Sequence, residues 1–255
     1  MIYIIILVIL LSFFIAFMVY QAHHDIINYL TIYDEKLPTA FNDFRVFFIS
    51  DIHRRHVNES TLRSIKEDIN VIIIGGDITE KGVPLERTKE NLEKLKKWNL
   101  PIYFVWGNND YEEDPEALYH LLVREGITIL ANTNLDISIK NHVLSFVGLD
   151  CCTYREARGD LALEFTKGNY TILLTHDPSA FYELKDSEQK KIHTVLAGHT
   201  HGGQIRLFGL GIYQRGGHRT YRQTNIFISE GYGYTKLPFR LGTKAECHVL
   251  TFKFN

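Results

Sequence analysis

After about residue 44, short apolar runs alternate with amphipathic stretches along the chain. Five runs are apolar almost throughout, as strands buried on both faces are: residues 45–50, 71–74, 102–106, 170–175 and 194–197. Leu85, Leu92 and Leu95 share one face of a helix predicted over residues 84–98, and a second helix begins at Asp114. Later runs at 135–140, 143–149, 225–230 and 248–254 predict further strands. The pattern indicates an α/β fold.

The first twenty residues form a single apolar run without any charged side chain. A helix of this length rises about 30 Å, which matches the hydrocarbon layer of a membrane. The start of the run carries no basic side chain and no clear small-residue cleavage site follows, so an uncleaved anchor is favoured over a signal peptide or a buried helix. We therefore expect a transmembrane anchor over residues 1–22, a connecting segment over 23–43 and one domain over 44–255.

The charged residues that follow the anchor weakly indicate on which side of the membrane the domain lies. Residues 21–36 contain three acidic side chains and a single lysine, so the positive-inside rule favours the domain on the extracytoplasmic side of the cell membrane.

The whole chain of 255 residues has a net charge of -2, which indicates no general nucleic-acid partner. Its three cysteines are too few and odd in number for a disulfide framework.

Polar residues with metal-ligand chemistry follow the five predicted strands. The carboxyl ends of strands in an α/β sheet face the ligand crevice, so these side chains are expected to meet. They are Asp51, His53, Asp77, Asn108, His176, His199 and His201. Carboxylate, imidazole and amide groups suit hard to borderline divalent ions, and no thiolate is among them. Seven groups are too many for one ion and fit two divalent ions about 3.5–4 Å apart.

These motifs resemble those of the calcineurin-like metallophosphoesterases. The matching segments are Asp51-Ile52-His53, Gly75-Gly76-Asp77, Gly107-Asn108-Asn109-Asp110, Thr175-His176 and the stretch from Gly198 to Gln204. Together with the anchor and the segment Ser229–Gly233, that stretch is similar to the membrane-associated bacterial branch of the family. The resemblance implies a four-layer α/β/β/α sandwich of metallophosphoesterase type, preceded here by one transmembrane helix.

The family resemblance also assigns roles to the residues. It implies one metal on Asp51, His53, Asp77 and His201, and a second on Asp77, Asn108, His176 and His199, with Asp77 as the bridge. The implied catalytic residues are Asp77, Asn108, Asn109, Asp110 and His176. The expected cofactors are two divalent ions, with Mn, Fe and Zn all suited to these nitrogen and oxygen ligands. Attack by hydroxide bound between the ions is the implied chemistry.

The chain departs from the commonest family pattern at Asn109. The family usually has a histidine there, the presumed general acid, whereas an amide donates hydrogen bonds but cannot release a proton at pH 7. This favours a phosphodiester or pyrophosphate with a good leaving group, or protonation by His56 or by a metal-held water. A broad phosphomonoesterase and a non-catalytic metal-dependent module that binds phosphate or lipid are the alternatives.

Basic side chains near the motifs suggest an anionic substrate. No Asp or Glu occurs between Gln189 and Ser229, a span that contains Arg206 and several other cations. Arg54, Arg55 and His56 directly follow the first motif, and arginine is well suited to phosphate. We expect these four residues to bind a phosphoester substrate, which with a nearby membrane includes a lipid-linked one. Glycines and aromatics over residues 207–221 predict a mobile flap beside the site.

Overall fold

The computed structural model describes all 255 residues of the chain. Its helices are α1 Ile2–His23, α2 Glu59–Ser64, α3 Leu85–Lys96, α4 Pro115–Arg124, α5 Gly159–Ala162, α6 Ser179–Glu183 and α7 Asp186–Gln189. Its strands are β1 Asp25–Tyr33, β2 Phe44–Ile49, β3 Val71–Ile74, β4 Ile102–Phe104, β5 Thr128–Ile129, β6 Thr133–Ile139, β7 His142–Gly148, β8 Tyr170–Leu174, β9 Thr194–Ala197, β10 Gly217–Tyr221, β11 Thr224–Ile228 and β12 Ala245–Lys253.

The strands form two six-stranded sheets. The first has the order β1-β12-β2-β3-β4-β5, and the second has the order β10-β11-β9-β8-β7-β6. Strands β2, β3 and β4 run parallel in the first sheet, as do β7, β8 and β9 in the second. Parallel neighbours end at the same edge, so the turns after these strands are gathered at one edge of each sheet.

Three apolar cores separate four layers. One core lies between the sheets, where Phe48 of β2 and Phe146 of β7 belong to the same cluster. A second core packs α3 and α4 on the first sheet, and a third packs α5 and α6 on the second. The predicted α/β/β/α sandwich is therefore confirmed. Strands β3, β8 and β9 are buried throughout, which explains why they lack alternating polar residues.

The amphipathic helices follow the predicted signals closely. Helix α4 begins after Asp114, whose side chain accepts a hydrogen bond of 2.9 Å from the backbone N–H of Ala117, and Pro115 occupies its first turn. Helix α3 buries Leu92 and Leu95 in the core. Both helices pack on the first sheet because their leucines recur at helical spacing.

Residues 25–33 correct the predicted domain boundary. The segment expected to connect anchor and domain contains β1, which pairs in parallel with β12 along its whole length. Only His24 separates β1 from the end of α1. The domain therefore begins at Asp25 and not at residue 44, and its first strand follows the apolar helix without a flexible linker.

Helix α1 is long and apolar enough to cross a membrane by length and composition. Only its carboxyl-terminal end contacts the domain, where Met18 and Ala22 are buried. The backbone N–H of Arg240 donates a hydrogen bond of 3.1 Å to the carbonyl of Met18. Residues 1–17 are all exposed, so this part of α1 projects away from the folded domain.

Arg55 is a buried structural residue and does not face the predicted site. Its guanidinium lies 2.6 Å from a carboxylate oxygen of Asp25 and 4.4 Å from the ring centre of Tyr232. The hydroxyls of Thr61 and Tyr232 also donate to Asp25. Asp25 thus joins the start of β1 to the first loop of the site.

Replacing Asp25 with alanine should destabilise the fold by about 3–5 kcal/mol, because it leaves the Arg55 charge buried without its partner. Thermal unfolding of the full chain in detergent should show a clearly lowered Tm. Glu86→Ala is the matched control, since it breaks an exposed ion pair with Lys89 on α3 and should leave the Tm nearly unchanged. Equal Tm values for the two variants would contradict the structural role of the Asp25–Arg55 pair.

Candidate metal centre

Seven predicted ligands lie in turns that follow five strands. Asp51 and His53 follow β2, Asp77 follows β3, Asn108 lies after β4, His176 follows β8, and His199 and His201 follow β9. Turns from both sheets meet here, which brings residues distant in sequence into contact. Five of the seven side chains lie in buried residues: Asp51, His53, Asp77, His176 and His201.

The first group of ligand atoms consists of Asp51, His53 and His201. The Nε2 atoms of His53 and His201 are 3.0 Å apart, and Oδ1 of Asp51 lies 3.4 Å from Nε2 of His201. All the candidate ligand atoms of this group lie within 4.8 Å of one another. One cation can therefore contact two imidazoles and one carboxylate here.

The second group consists of Asp51, Asp77 and His176. Nε2 of His176 lies 3.2 Å from Oδ2 of Asp77 and 4.0 Å from Oδ1 of Asp51. Nδ1 of His199 is 3.2 Å from the same Nε2. Asp51 belongs to both groups, so the two sites are adjacent.

Two further ligand predictions concern Asn108 and Asp77. The Oδ1 atom of Asn108 is buried without a hydrogen-bond partner. Such an atom is usually paired, so this oxygen is suited to coordinate a cation. Oδ2 of Asp77 lies 3.8 Å from Nε2 of His53 and 3.2 Å from Nε2 of His176. It is therefore placed between the two groups, and the bridging role of Asp77 stays a prediction. The donor set fits two divalent cations.

Five of the candidate ligands have a left-handed backbone. Their φ values are 55° at Asp51, 50° at His53, 51° at Asp77, 71° at His199 and 48° at His201. Each such conformation costs a residue with a Cβ atom about 1–3 kcal/mol and is concentrated at functional sites. The sharp turn that this conformation makes at each strand end directs the side chain toward the sheet edge where the candidate ligands meet.

Glycines next to the ligands are required by close approach. A Cβ atom on Gly107 would lie 2.1 Å from Oδ1 of Asp77, and one on Gly198 would lie 2.6 Å from Oδ2 of Asp51. Both distances are shorter than any tolerated contact. The Gly-Asn and Gly-His pairs of the motifs therefore allow their turns to close on the carboxylates.

Two imidazoles have oxygen atoms of other residues behind them. Nδ1 of His176 lies 2.9 Å from the carbonyl of Gly75, and Nδ1 of His53 lies 3.1 Å from Oε2 of Glu80. The hydrogen bond to the carbonyl of Gly75 fixes the His176 ring with Nε2 facing the other candidate ligand atoms. The Glu80 carboxylate lies at ion-pair distance from Nδ1 of His53, which has no partner with hydrogen-bond geometry. Glu80 is buried and was not predicted; its position three residues after Asp77 was the only available signal.

Buried charges set the protonation of the rings. Burial lowers the pKa of His201 well below its ordinary value, and His53 and Arg240 lower it further. Burial and His176 lower the pKa of His199. Burial opposes protonation of His176 too, but Asp77 and Asp51 outweigh it and raise its pKa well above the usual range. His199 and His201 are thus neutral donors at pH 7.

Asp110 supports the ligands from behind. Its carboxylate accepts hydrogen bonds from the backbone N–H groups of Asp77, Thr79 and Gly107. Burial and the nearby Asp77 raise its pKa to about 7. Asp110 therefore joins the turns after β3 and β4, and the catalytic role expected from the sequence stays a prediction.

Asn109 lies at the metal groups. Its backbone N–H donates a hydrogen bond of 2.7 Å to Oδ1 of Asp77, and its side-chain oxygen accepts one of 2.8 Å from Nδ2 of Asn108. The second bond occupies the amide nitrogen of Asn108 and leaves its Oδ1 for a cation. Asn109 thus orients a predicted ligand.

A cavity of about 580 Å³ opens beside these side chains. Its lining includes Asp77, Asn108, Asn109, His199, Thr200, His201, Gly203, Gln204, Ile205, Ile212, Tyr213, Thr235 and Lys236. Lys236 is a cation that the sequence prediction missed, and it lies in the segment after the Ser229–Gly233 motif. A separate cleft of about 370 Å³ between Lys36 and Arg222 is lined by none of the predicted ligands.

The four predicted substrate-binding residues do not line this cavity. Arg54 is paired with Glu80 and with the carbonyl of Lys81, and Arg55 is buried on Asp25. His56 is exposed and pairs with Glu90 at 3.3 Å. Arg206 donates to backbone carbonyls of its own loop. Contact of these four residues with substrate stays a prediction, and the lining of this cavity does not support it.

Comparison with known proteins agrees with this geometry. The family model described as calcineurin-like phosphoesterase matches residues 44–203.

The chain belongs to the calcineurin-like phosphoesterase family.

It is 37% identical over 208 residues to the uncharacterized protein YpbG of Bacillus subtilis, covering 81% of this chain and 80% of that protein. It is 28% identical to the uncharacterized metallophosphoesterase YkuE of the same bacterium, covering 88% and 84%. A zebrafish transmembrane protein with a metallophosphoesterase domain is 30% identical and covers 86% of this chain, which spans 55% of that protein. Members of this calcineurin-like phosphoesterase family are hydrolases, and relatives of this chain occur in bacteria and animals.

Replacing Glu80 with glutamine should weaken divalent-metal binding by about 10–100-fold, because the His53 ring loses the negative charge 3.1 Å from its Nδ1. Titration calorimetry of the metal-free full chain with Mn²⁺ or Zn²⁺ measures the effect. Glu90→Gln is the matched control, since Glu90 forms the same type of pair with His56 on the surface. Unchanged affinity in Glu80→Gln would show that His53 does not depend on this contact.

Proposed function

We propose that this calcineurin-like phosphoesterase is a dinuclear metal-dependent hydrolase that cleaves a phosphodiester or pyrophosphate bond. The observation that supports it most is the pair of adjacent ligand groups that share Asp51 and open on a cavity lined by Asp77, His199 and His201. A non-catalytic module would need no second group of this kind beside an open cavity.

The proposed cofactors are two divalent ions, and Mn, Fe and Zn all suit the ligands. Asp51, His53 and His201 would hold one ion, while Asp77, Asn108, His176 and His199 would hold the other. Although Asp51 is close to both groups, we propose Asp77 as the shared ligand because its Oδ2 lies between Nε2 of His53 and Nε2 of His176. When bound, such a pair neutralises phosphoryl oxygens and lowers the pKa of water.

The chain's own residues define the rest of the reaction. Asn109 lines the cavity where a general acid would be needed, and its amide can donate a hydrogen bond but no proton. His56, the expected substitute, is exposed and bound to Glu90, so it does not serve the leaving group. Lys236 is the cation that lines the cavity, and we propose that it binds the anionic oxygens of the substrate. These features favour a leaving group that departs without a strong acid.

We also propose that the protein is a single-pass protein of the cell membrane, anchored by α1, and that its substrate is lipid-linked. The apolar composition and exposure of residues 1–17 support the anchor, as does the zebrafish relative, whose name describes a transmembrane protein. The acidic flank after α1 favours the extracytoplasmic side for the domain.

The purified full chain in detergent should hydrolyse bis-(p-nitrophenyl) phosphate when Mn²⁺ is added. Asp77→Asn should abolish turnover, because the amide cannot supply the shared negative charge between the two groups. His56→Ala should retain nearly full activity, since His56 contacts neither group. Folded protein that stays inert with every divalent ion tried would sink the proposal, as would full activity in Asp77→Asn.

Asn109→His should raise turnover of phosphate monoesters with poor leaving groups, such as alkyl phosphates, by about 10-fold or more, because an imidazolium can protonate the leaving oxygen. Turnover of p-nitrophenyl esters should change little, since that leaving group needs no acid. Asn109→Gln serves as the control that disturbs the hydrogen bond to Asn108 without adding an acid. A parent enzyme that already favours alkyl monoesters over diesters would instead establish the monoesterase alternative.

A further inference from the structure

A hairpin loop beside the cavity exposes an unusual number of apolar side chains. We name residues 204–213 the apolar loop. Phe208 is fully exposed, Leu210 is 79% exposed, Ile212 is 86% exposed and Leu207 is 58% exposed. Leu237, outside the loop, is also 58% exposed. Contiguous exposed apolar surface of this kind marks an interaction site in soluble domains. Arg206 is the only charged residue within the loop.

The apolar loop is ordered by its own backbone. The backbone N–H and carbonyl groups of Leu207 and Leu210 pair reciprocally at 3.0 and 2.9 Å. The turn between them places Phe208 and Gly209 at φ of 51° and 83°, which is the pattern of a tight hairpin turn. A side chain as large as phenylalanine is rare at positive φ, yet here it stands at the tip of the turn and contacts solvent.

Arg206 satisfies the polar groups of the loop from the inside. Its guanidinium donates to the carbonyl oxygens of Gly202, Gly209 and Tyr213. Buried or lipid-exposed carbonyls without partners are costly, and these three are paired without water. The loop therefore presents apolar side chains outward, while its cation and the carbonyls of Gly209 and Tyr213 are paired with each other, which lowers the cost of entering a nonpolar phase.

The base of the apolar loop is connected directly to α1. The backbone N–H of Arg240 donates to the carbonyl of Met18, and the adjacent N–H of Leu241 donates to the carbonyl of Gln204 at 3.1 Å. The N–H of Arg206 returns to the carbonyl of Leu241 at 2.7 Å. Two consecutive residues thus hold both the apolar helix and the apolar loop.

The position of α1 then fixes how the domain meets the bilayer. The exposed part of α1, residues 1–17, spans about 25 Å at 1.5 Å per residue, close to the hydrocarbon thickness. Met18 is already packed on the domain, and only His24 separates the helix from β1. The domain therefore has no length of chain with which to stand away from the membrane surface.

We propose that the apolar loop enters the lipid bilayer beside α1 as a second membrane contact, and that the metal-site cavity opens at the bilayer surface. Ile205, Ile212 and Tyr213 belong to the loop and also line the cavity, so a loop seated in lipid places the cavity mouth at headgroup level. Lys236 lines the cavity and the next residue, Leu237, is exposed, so the two give one cation for anionic headgroups and one apolar contact. The matching substrate is a phosphoester in the headgroup of a lipid. This inference rests on the anchor of the proposed function.

Depth-dependent quenching of tryptophan fluorescence tests the contact. The full-chain variants Phe208→Trp and Leu237→Trp are reconstituted in vesicles of phosphatidylcholine and phosphatidylglycerol. Lipids brominated on their acyl chains should quench the added indole of Phe208→Trp by at least half. Lipids with a headgroup nitroxide should quench the added indole of Leu237→Trp more strongly than that of Phe208→Trp. The native Trp98 and Trp106 give the background, which the parent protein measures.

Phe165→Trp is the matched control. Phe165 is 83% exposed and also has a positive φ, of 60°, but the residues around it bond to β6 and β7 at the opposite lateral edge of the second sheet. Neither lipid should quench the indole added in this control. Emission from Phe208→Trp that is equally strong with brominated and plain lipids overturns the proposal, as does quenching of Phe165→Trp to the same extent.

Two further measurements separate this inference from the proposed function. If the protein resists carbonate extraction while the added indole of Phe208→Trp stays unquenched, the anchor is intact and the loop contact alone is refuted, whereas protein released by carbonate would refute both. Phe208→Asp, which favours the same backbone conformation, should abolish insertion of the loop tip while hydrolysis of bis-(p-nitrophenyl) phosphate stays within about twofold. Loss of that hydrolysis would place the loop in the catalytic machinery and contradict a membrane role.

Discussion

The structure depends on the burial of two carboxylates, Asp51 and Asp77, at the edge where two sheets meet. A buried carboxylate is strongly unfavourable unless cations or hydrogen bonds compensate for it. Here the neighbouring imidazoles and the backbone N–H groups of His199 and Asn109 provide part of the compensation, and divalent cations on the candidate ligand groups would provide the rest. The turns, the glycines and the supporting carboxylates of Glu80 and Asp110 are all arranged around this requirement.

Arg240 shows how closely the site and the rest of the molecule are joined. Its buried side chain lies 3.1 Å from Nδ1 of His201 and donates to the carbonyls of Glu230, Gly231 and Gly233. Its backbone holds the end of α1. One residue therefore contacts a candidate ligand, the late glycine-rich segment and the apolar helix. A displacement of the end of α1 would move Arg240 and, through its side chain, His201.

The sequence predicted the sandwich, and it predicted that the candidate ligand residues would meet, because both depend on local patterns; that these residues bind metal stays a prediction. Buried parallel strands are apolar throughout, and residues placed directly after them must appear at the sheet edge, as His176 and Asp77 do. Strand β1 was missed because its pairing with β12 joins segments more than 200 residues apart and leaves no local signal. Arg55 and Arg206, expected at the substrate, contact Asp25 and backbone carbonyls in the structure, because charge alone does not reveal whether an arginine meets a carboxylate, a carbonyl or a substrate.

The positive φ values at five candidate ligands have a consequence for how such a site evolves. Glycine would adopt each of those backbone conformations without steric strain, whereas the candidate ligands adopt them with strain. Substitutions that would relieve backbone strain at these five positions would therefore remove candidate ligands, so selection for stability and selection for metal binding oppose each other there. A descendant freed from its chemistry would be expected to lose these side chains first and to gain thermal robustness as it did so.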